Sequence, residues 1–257
     1  MSIPKLIHYC WFGGKELPTR ERLCIESWKK HLKNYKFILW NEDNSNLNSC
    51  NYVRQAYNKK QYAFVSDYIR IKVLYEHGGI YLDTDIEVLK NFDSLLNENA
   101  FLGFENRTTV GTAVIACEPG ADFAKKMVEY YENHDFVDNR GNLNITTNVV
   151  LLNSILESKG MKRVNETQYI DGIRILERSV LFPKKKSENE ILKTDETITI
   201  HHMSASWLTE RQKKRGTNKI WLSTVRPILK RILKLLYTIL GEKRAKSVEI
   251  YIRNLLR

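Results

Sequence analysis

Two aspartates, Asp83 and Asp85, stand in the apolar stretch HGGIYLDTDIEVL, residues 77–89. Carboxylates two positions apart on an extended chain point to the same side. Two like charges so placed repel one another, and a hard divalent cation, which takes oxygen ligands, removes that repulsion. The bland alternative is a pair of solvated turn residues, and a lone DxD pattern does not decide between them. Asp67 and Arg70 precede it in AFVSDYIRIKVLYEHGG. Three residues apart on a helix, they share a face that Ile71 and Leu74 also border. A charged pair on a partly apolar face needs a partner or a ligand, or else is a local salt bridge.

Two further features could belong to the same chemistry. HHMSASW, residues 201–207, ends an alternating segment, ETITIHHMSASW. His201 and His202 point to opposite sides of an extended chain, so at most one of them faces a given site. A neutral imidazole there could complete a carboxylate metal site, or could be a hydrogen-bonded structural histidine. Trp11 ends the first apolar run, just before Gly13 and Gly14. An aromatic in that place can stack on a flat base, with glycines allowing close backbone approach, or can pack in the core.

The elements that must position these residues alternate in type. PKLIHYCWFGG is a buried strand with a tight loop, TRERLCIESWKKHLKN a helix, and YKFILWNED a second strand. QYAFVSDYIRIKVLYEHGG is a helix that Gly78 ends as a left-handed cap, and the Asp83 strand follows at once. AFLGFEN and TAVIACEPG are strands, while ADFAKKMVEYYEN and NVVLLNSILESKG are helices. This order predicts an α/β fold with a parallel sheet covered by helices.

The charge is divided unequally. The chain of 257 residues carries a formal net charge of +11. Residues 208–257 hold 14 Lys or Arg and 3 Asp or Glu, so the whole excess lies in this tail. There Trp221, Val225, Ile228, Leu229, Ile232, Leu236 and Ile239 form an apolar stripe, with Lys230, Arg231 and Lys234 mostly off it. Pro227 fits a helix start and Gly241 a break, after which Val248, Tyr251, Ile252 and Leu255 belong to a second helix. Such a basic amphipathic segment is expected to lie on an anionic membrane surface. Packing against the body or a second subunit is the alternative. Nucleic-acid binding ranks third, because an electrostatic tail needs few leucines and isoleucines. Cys10, Cys24, Cys50 and Cys117 have no metal-ligand spacing, and scattered thiols fit a reducing compartment. The start is read as free of a signal peptide, and no apolar run is long enough to span a bilayer.

Taken together, IPKLIHYCWFGG, the block from Asp67 and Arg70 through Gly78, Gly79, Tyr81, Asp83 and Asp85, and HHMSASW resemble glycosyltransferase family 32, over roughly residues 3–207. The pattern is also similar to the glucosylating domains of large clostridial toxins. The resemblance implies a GT-A type fold with a Rossmann-like, mostly parallel sheet, a nucleotide-sugar donor, Mn²⁺ or Mg²⁺, and retention of anomeric configuration. It implies that Trp11 stacks on the nucleobase, that Asp67 and Arg70 hold donor-sugar hydroxyls, and that Tyr81 belongs to the donor-binding set. Asp83 would touch ribose and metal-bound water, Asp85 would ligate the metal, and Ser206 and Trp207 would close over the diphosphate. In the toxins a carboxylate five residues before the last Trp contributes to the metal, and here His202 stands at that position. Asn148, at a helix start, is expected either to contact donor or acceptor or to cap its helix.

The expectation is a catalytic domain, 1–207, and a basic helical extension, 208–257, that touches the membrane through residues 220–257 at the inner face of the cell membrane. The activity expected is transfer of a hexose or N-acetylhexosamine, from a UDP-sugar in preference to others, to a glycan acceptor carried on polyprenyl diphosphate, in bacterial surface polysaccharide synthesis. A nucleic-acid partner is not expected. One rival is a metal-dependent phosphohydrolase or nuclease, which needs a second carboxylate or histidine cluster that the sequence near Asp83 does not offer. Another is a non-catalytic sugar or nucleotide binder.

Overall fold

The structure is a computed structural model that describes residues 2–184, 191–204 and 218, and scattered positions from 221 to 248. Two compact units divide the chain, Met1–Met203 and Ser204–Arg257. The first contains β1 (Leu6–Cys10), α1 (Thr19–His31), β2 (Lys36–Trp40), α2 (Asn51–Asn58), α3 (Tyr62–His77), β3 (Gly79–Leu82) and β4 (Ile86–Val88). It continues with β5 (Ala100–Gly103), β6 (Val114–Cys117), α4 (Asp122–Glu132), α5 (Asn148–Ser158), β7 (Gln168–Ile170), β8 (Ile173–Leu176), α6 (Arg178–Leu181) and β9 (Thr199–His201).

Seven strands make one sheet in the order β2-β1-β3-β6-β5-β8-β7. β1 pairs in parallel with β2 and β3, and β5 with β8, while β6 and β7 run against their neighbours. Five strands therefore share one direction, which bears out the mostly parallel, Rossmann-like sheet of an α/β protein. Its strands are apolar on both faces, as a sheet covered on both sides requires. Tyr81, Leu102, Ile115 and Cys117 pack into one core with α2, α3, α4 and α5. The intervening Ile80, Leu82, Phe101, Val114 and Ala116 enter the other, with Trp28 of α1 and with Phe182.

Four departures from the sequence reading bear on the site, the last of them at Gly78. Asp83 and Asp85 are not within a strand. They flank Thr84 in a turn between β3 and β4, where the Ile86 N–H donates to the Asp83 carbonyl at 3.0 Å. The ETITIHHMSASW segment is a strand only over β9, and it leaves the main sheet to pair with β4, placing His201 opposite Ile86. The helix α2 and the hairpin β7–β8 are additional elements. The hairpin turns at Asp171 and Gly172, with φ of 51° and 76°, the conformation that an Asp-Gly pair between apolar runs favours.

Gly78 ends α3, but with φ 63° and ψ −162° it is not the left-handed cap expected. This conformation is open to glycine alone, and a Cβ there would lie 2.6 Å from Pro119 Cδ and 2.9 Å from the Cys117 carbonyl oxygen. The reversal drops the chain directly into β3. His8, fully buried on β1, fixes it from below: its Nε2 donates to the Gly78 carbonyl at 2.9 Å, and its Nδ1 accepts from Trp40 Nε1 at 3.1 Å. With both nitrogens used this way the ring is neutral. Burial, with His77 nearby, lowers its pKa to about 4. A histidine so depressed takes up its proton first in the unfolded chain. His8 therefore contributes its full stability above about pH 6.5 and loses it as pH falls toward 4, an effect of about 3 kcal/mol. Urea unfolding of wild type and His8→Gln between pH 4 and 7.5 should show the steeper acid loss in wild type. Parallel curves would exclude it.

Candidate active site

The turn carrying the two aspartates is held from three sides. Ala113, just before β6, accepts from it, the Asp83 N–H donating to the Ala113 carbonyl at 2.9 Å. Helix α1 grips β4 beyond the turn: Trp28 Nε1 donates to the Ile86 carbonyl at 2.5 Å, and Ser27 Oγ accepts from the Val88 N–H at 2.9 Å. The His202 N–H donates to the Asp85 carbonyl at 3.1 Å, tying the end of β9 to the turn.

Asp83 meets the helix before it through one guanidinium. Arg70 Nη2 lies 3.0 Å from Asp83 Oδ1 and 3.5 Å from Asp67 Oδ1, while Nη1 donates to the Thr112 carbonyl at 2.8 Å. The guanidinium lies over the Tyr81 ring at 4.4 Å from its centroid, and the Tyr81 hydroxyl donates to Asp83 Oδ1 at 3.1 Å. Arg70 is only 7% exposed. The salt bridge within the helix is therefore one arm of a larger device in which a single buried cation joins helix and turn. Its fork is directed at protein groups, which makes Arg70 a residue that positions the carboxylates.

Asp67 is fixed on its other side by Asn148. The Asn148 Nδ2 donates to the Asp67 carbonyl at 2.9 Å, its N–H approaches Asp67 Oδ2 at 3.5 Å, and its Oδ1 accepts from the Tyr131 hydroxyl at 2.6 Å. Asn148 is the first residue of α5, with Thr147 at the cap position, and its side chain is spent on Asp67 and Tyr131. Burial, aided by Asp83 and opposed by Arg70, raises the Asp67 pKa to about 6. Burial also raises that of Asp83, against the pull of Arg70.

The histidine that reaches this cluster is His201. Ligand atoms of Asp83, Asp85 and His201 all lie within 4.8 Å of one another, the one such group among the described residues. His201 Nε2 is buried without a hydrogen bond, 3.4 Å from Asp85 Oδ1, and Nδ1 lies 3.1 Å from Glu105 Oε1. His202, placed at the metal by its spacing from Trp207, instead has Nε2 on Glu87 Oε2 at 2.9 Å. The reason is the register of β9 against β4, which turns the odd-numbered histidine toward the aspartates. Burial opposes protonation of His201, but the Asp85 and Glu105 carboxylates beside its two nitrogens prevail and raise its pKa to about 10.

Trp11 follows β1, half-buried, its Nε1 donating to the Lys15 carbonyl at 2.5 Å. Ser206 and Trp207 lie outside the described residues. Glu105, just beyond β5, was not singled out from the sequence. A carboxylate closing an otherwise apolar strand, in AFLGFEN, is its one sequence signal.

Asp67, Asp83, Asp85 and Glu105 face Arg70 and His201, so acidic groups outnumber basic ones. The buried Asp85 and part-buried Asp83 carboxylates, with an imidazole nitrogen that makes no hydrogen bond, form an oxygen-rich donor set with one nitrogen, which suits Mn²⁺ or Mg²⁺. Removing Arg70 would leave Asp83 without its counter-charge. Arg70→Ala is expected to cost about 3–5 kcal/mol in chemical denaturation, and Arg70→Lys to recover only part, since an ammonium cannot reach Thr112, Asp67 and Asp83 together while stacking on Tyr81.

Residues 18–102 match the glycosyltransferase sugar-binding region containing DXD motif. The chain is 40% identical over 86 residues to lactosylceramide 4-alpha-galactosyltransferase of Mus musculus, covering 34% of this chain and 22% of that protein. It is 28% identical over 179 residues to the uncharacterized glycosyltransferase L373 of Acanthamoeba polyphaga mimivirus, covering 66% of this chain and 71% of that one. Among solved structures, PaToxG glycosyltransferase is similar with a TM-score of 0.49 and 20% identity, over 61% of this chain and 70% of that chain. The chain thus spans about a fifth of the length of the lactosylceramide transferase. Asp67, Arg70, Tyr81, Asp83 and Asp85 all fall within residues 18–102, the part of the chain that is similar to the DXD sugar-binding region.

Proposed function

We propose that the protein is a metal-dependent, retaining glycosyltransferase that moves a hexosyl or N-acetylhexosaminyl group from a nucleotide sugar, a UDP-sugar first, to a glycan carried on a lipid. The observation that carries this reading is the meeting of Asp83, Asp85 and His201 beside the Asp67–Arg70 pair. Asp83, Asp85 and His201 would hold Mn²⁺ or Mg²⁺, which when bound acts as a Lewis acid on the departing diphosphate. Asp67, held by Arg70 and Asn148, is placed to accept hydrogen bonds from donor-sugar hydroxyls and so orient the anomeric carbon. Trp11, just past the end of β1, would stack on the base. In a same-face substitution the acceptor oxygen bonds to the anomeric carbon as the bond to the phosphate oxygen breaks, and the acceptor proton passes to that phosphate. A two-metal hydrolase needs a second ligand cluster, and the described residues contain only this one.

A lipid-carried acceptor is supported by two features. The lactosylceramide galactosyltransferase is, by its name, directed at a glycolipid. In the C-terminal unit, described residues 227–229, 231–233 and 235–238 are helical, and Ile228, Ile232 and Leu235 are 50%, 45% and 60% exposed. Their spacing of four and three residues puts them on one face. With the excess of cations in residues 208–257, this face suits an anionic membrane surface. Among the described residues no helix is long and apolar enough to cross a membrane. The cytoplasmic leaflet and a polyprenyl diphosphate carrier remain the favoured setting.

Calorimetry with UDP- and GDP-sugars, with and without Mn²⁺, should find a donor that binds only with metal. Asp85→Asn should reduce metal affinity and transfer on the order of 100-fold. Full transfer by that variant would remove Asp85 from the metal site. Flotation tests the tail: the full chain should rise with vesicles containing phosphatidylglycerol, less so at high salt, and Ile232→Asp with Leu235→Asp should remain below. A wild-type chain left at the bottom of the gradient refutes membrane contact.

A further inference from the structure

We propose that Glu105 is a positioning residue for the metal site: it holds the Nδ1–H of His201, so that Nε2 turns its lone pair toward Asp83 and Asp85. This rests on the metal-site reading above. A bound metal takes the place of the second proton of the His201 imidazolium, and the neutral ring that remains has one N–H and one lone pair, the partner of one nitrogen deciding what the other offers. Glu105 Oε1 lies 3.1 Å from Nδ1, while Nε2 is buried, makes no hydrogen bond, and sits with the aspartate oxygens inside the 4.8 Å cluster. His202 shows the opposite use: its carboxylate partner, Glu87, takes Nε2.

Glu105 is itself held rigidly. It begins a hairpin in which its N–H donates to the Thr109 carbonyl at 2.9 Å, and Phe104 pairs with Val110. Helix α5 clamps that hairpin, since Asn153 accepts from the Val110 N–H and donates to the Val110 carbonyl, both at 2.9 Å. Gly111 lets the strands close: a Cβ there would lie 2.9 Å from the Glu105 Cβ and 3.3 Å from the Phe182 ring. Phe182 in turn packs against the His201 ring, centroids 6.0 Å apart. The imidazole thus has a fixed partner on one edge and a fixed wall beside it. A carboxylate behind a ligating histidine orients the ring and raises its basicity.

The test is Mn²⁺ affinity, read from the free-ion electron paramagnetic resonance signal, in wild type, Glu105→Ala and Glu105→Gln, with thermal unfolding of each as a check on folding. Glu105→Ala should bind Mn²⁺ about 10- to 100-fold more weakly. Glu105→Gln, whose amide oxygen can accept the same proton, should stay within roughly threefold of wild type. Nitrogen-15 histidine spectra of the Mg²⁺-loaded wild type should show His201 with its proton on Nδ1. Equal affinity in wild type and Glu105→Ala overturns the proposal, as does Glu105→Gln falling as far as Glu105→Ala, or a His201 proton on Nε2. Should Glu105→Ala fail to fold, Glu105→Gln and the tautomer decide. A wild type that binds no Mn²⁺ refutes the metal site itself, an outcome distinct from a variant that binds as well as wild type.

Discussion

Arg70 carries the charge on which the arrangement around the turn depends. Unit charges 4 Å apart interact by about 4 kcal/mol at the effective dielectric of a protein surface, so carboxylates gathered at this depth push one another apart unless a cation lies among them. Arg70 reaches Asp67 on its own helix and Asp83 on the following turn, and its plane rests on Tyr81 from the strand between. Helix, strand and turn can meet in one guanidinium only because Gly78 reverses the chain without a loop. The conformation of that glycine, and the His8 bond to its carbonyl, are therefore conditions of the site as much as of the fold.

The sheet direction supplies the second condition. Trp11 follows β1, the aspartate turn follows β3, and Glu105 lies just beyond β5, three strands that run the same way. Ligands of open α/β sheets gather outside the carboxyl ends of the strands. Here that rim gathers acidic and aromatic side chains, while both faces of the sheet are given over to apolar packing.

Much of this was legible in the chain. Both-sided burial shows as continuous apolar runs, and Asp67, Arg70, Asp83 and Asp85 stand out because charge is costly in such surroundings. What the sequence could not show was register. Whether His201 or His202 meets the aspartates depends on how β9 lies against β4, a pairing between segments more than a hundred residues apart, and spacing from a tryptophan chose the other one. Glu105 was hidden for the same reason, since its partner is remote in sequence. Asp83 and Asp85 were read as neighbours on a strand, and they are neighbours across a turn. Both geometries bring the carboxylates together, so the chemistry survived an error in the local structure. Asn148 resolved differently again: its amide fastens Asp67, and its own N–H, the first of α5, approaches the Asp67 carboxylate.

The ladder between β4 and β9 has a consequence for synthesis of the chain. β4 ends at Val88, and its partner comes from the last strand of the first compact unit. A ribosome delivers these segments in order, so the aspartate turn exists for some seconds before His201 is made, at roughly 5–20 residues per second. During that interval the carboxylates are present but the imidazole is not. The cluster of Asp83, Asp85 and His201 is therefore complete only once β9 has paired with β4, and a nascent or truncated chain ending before residue 201 lacks it.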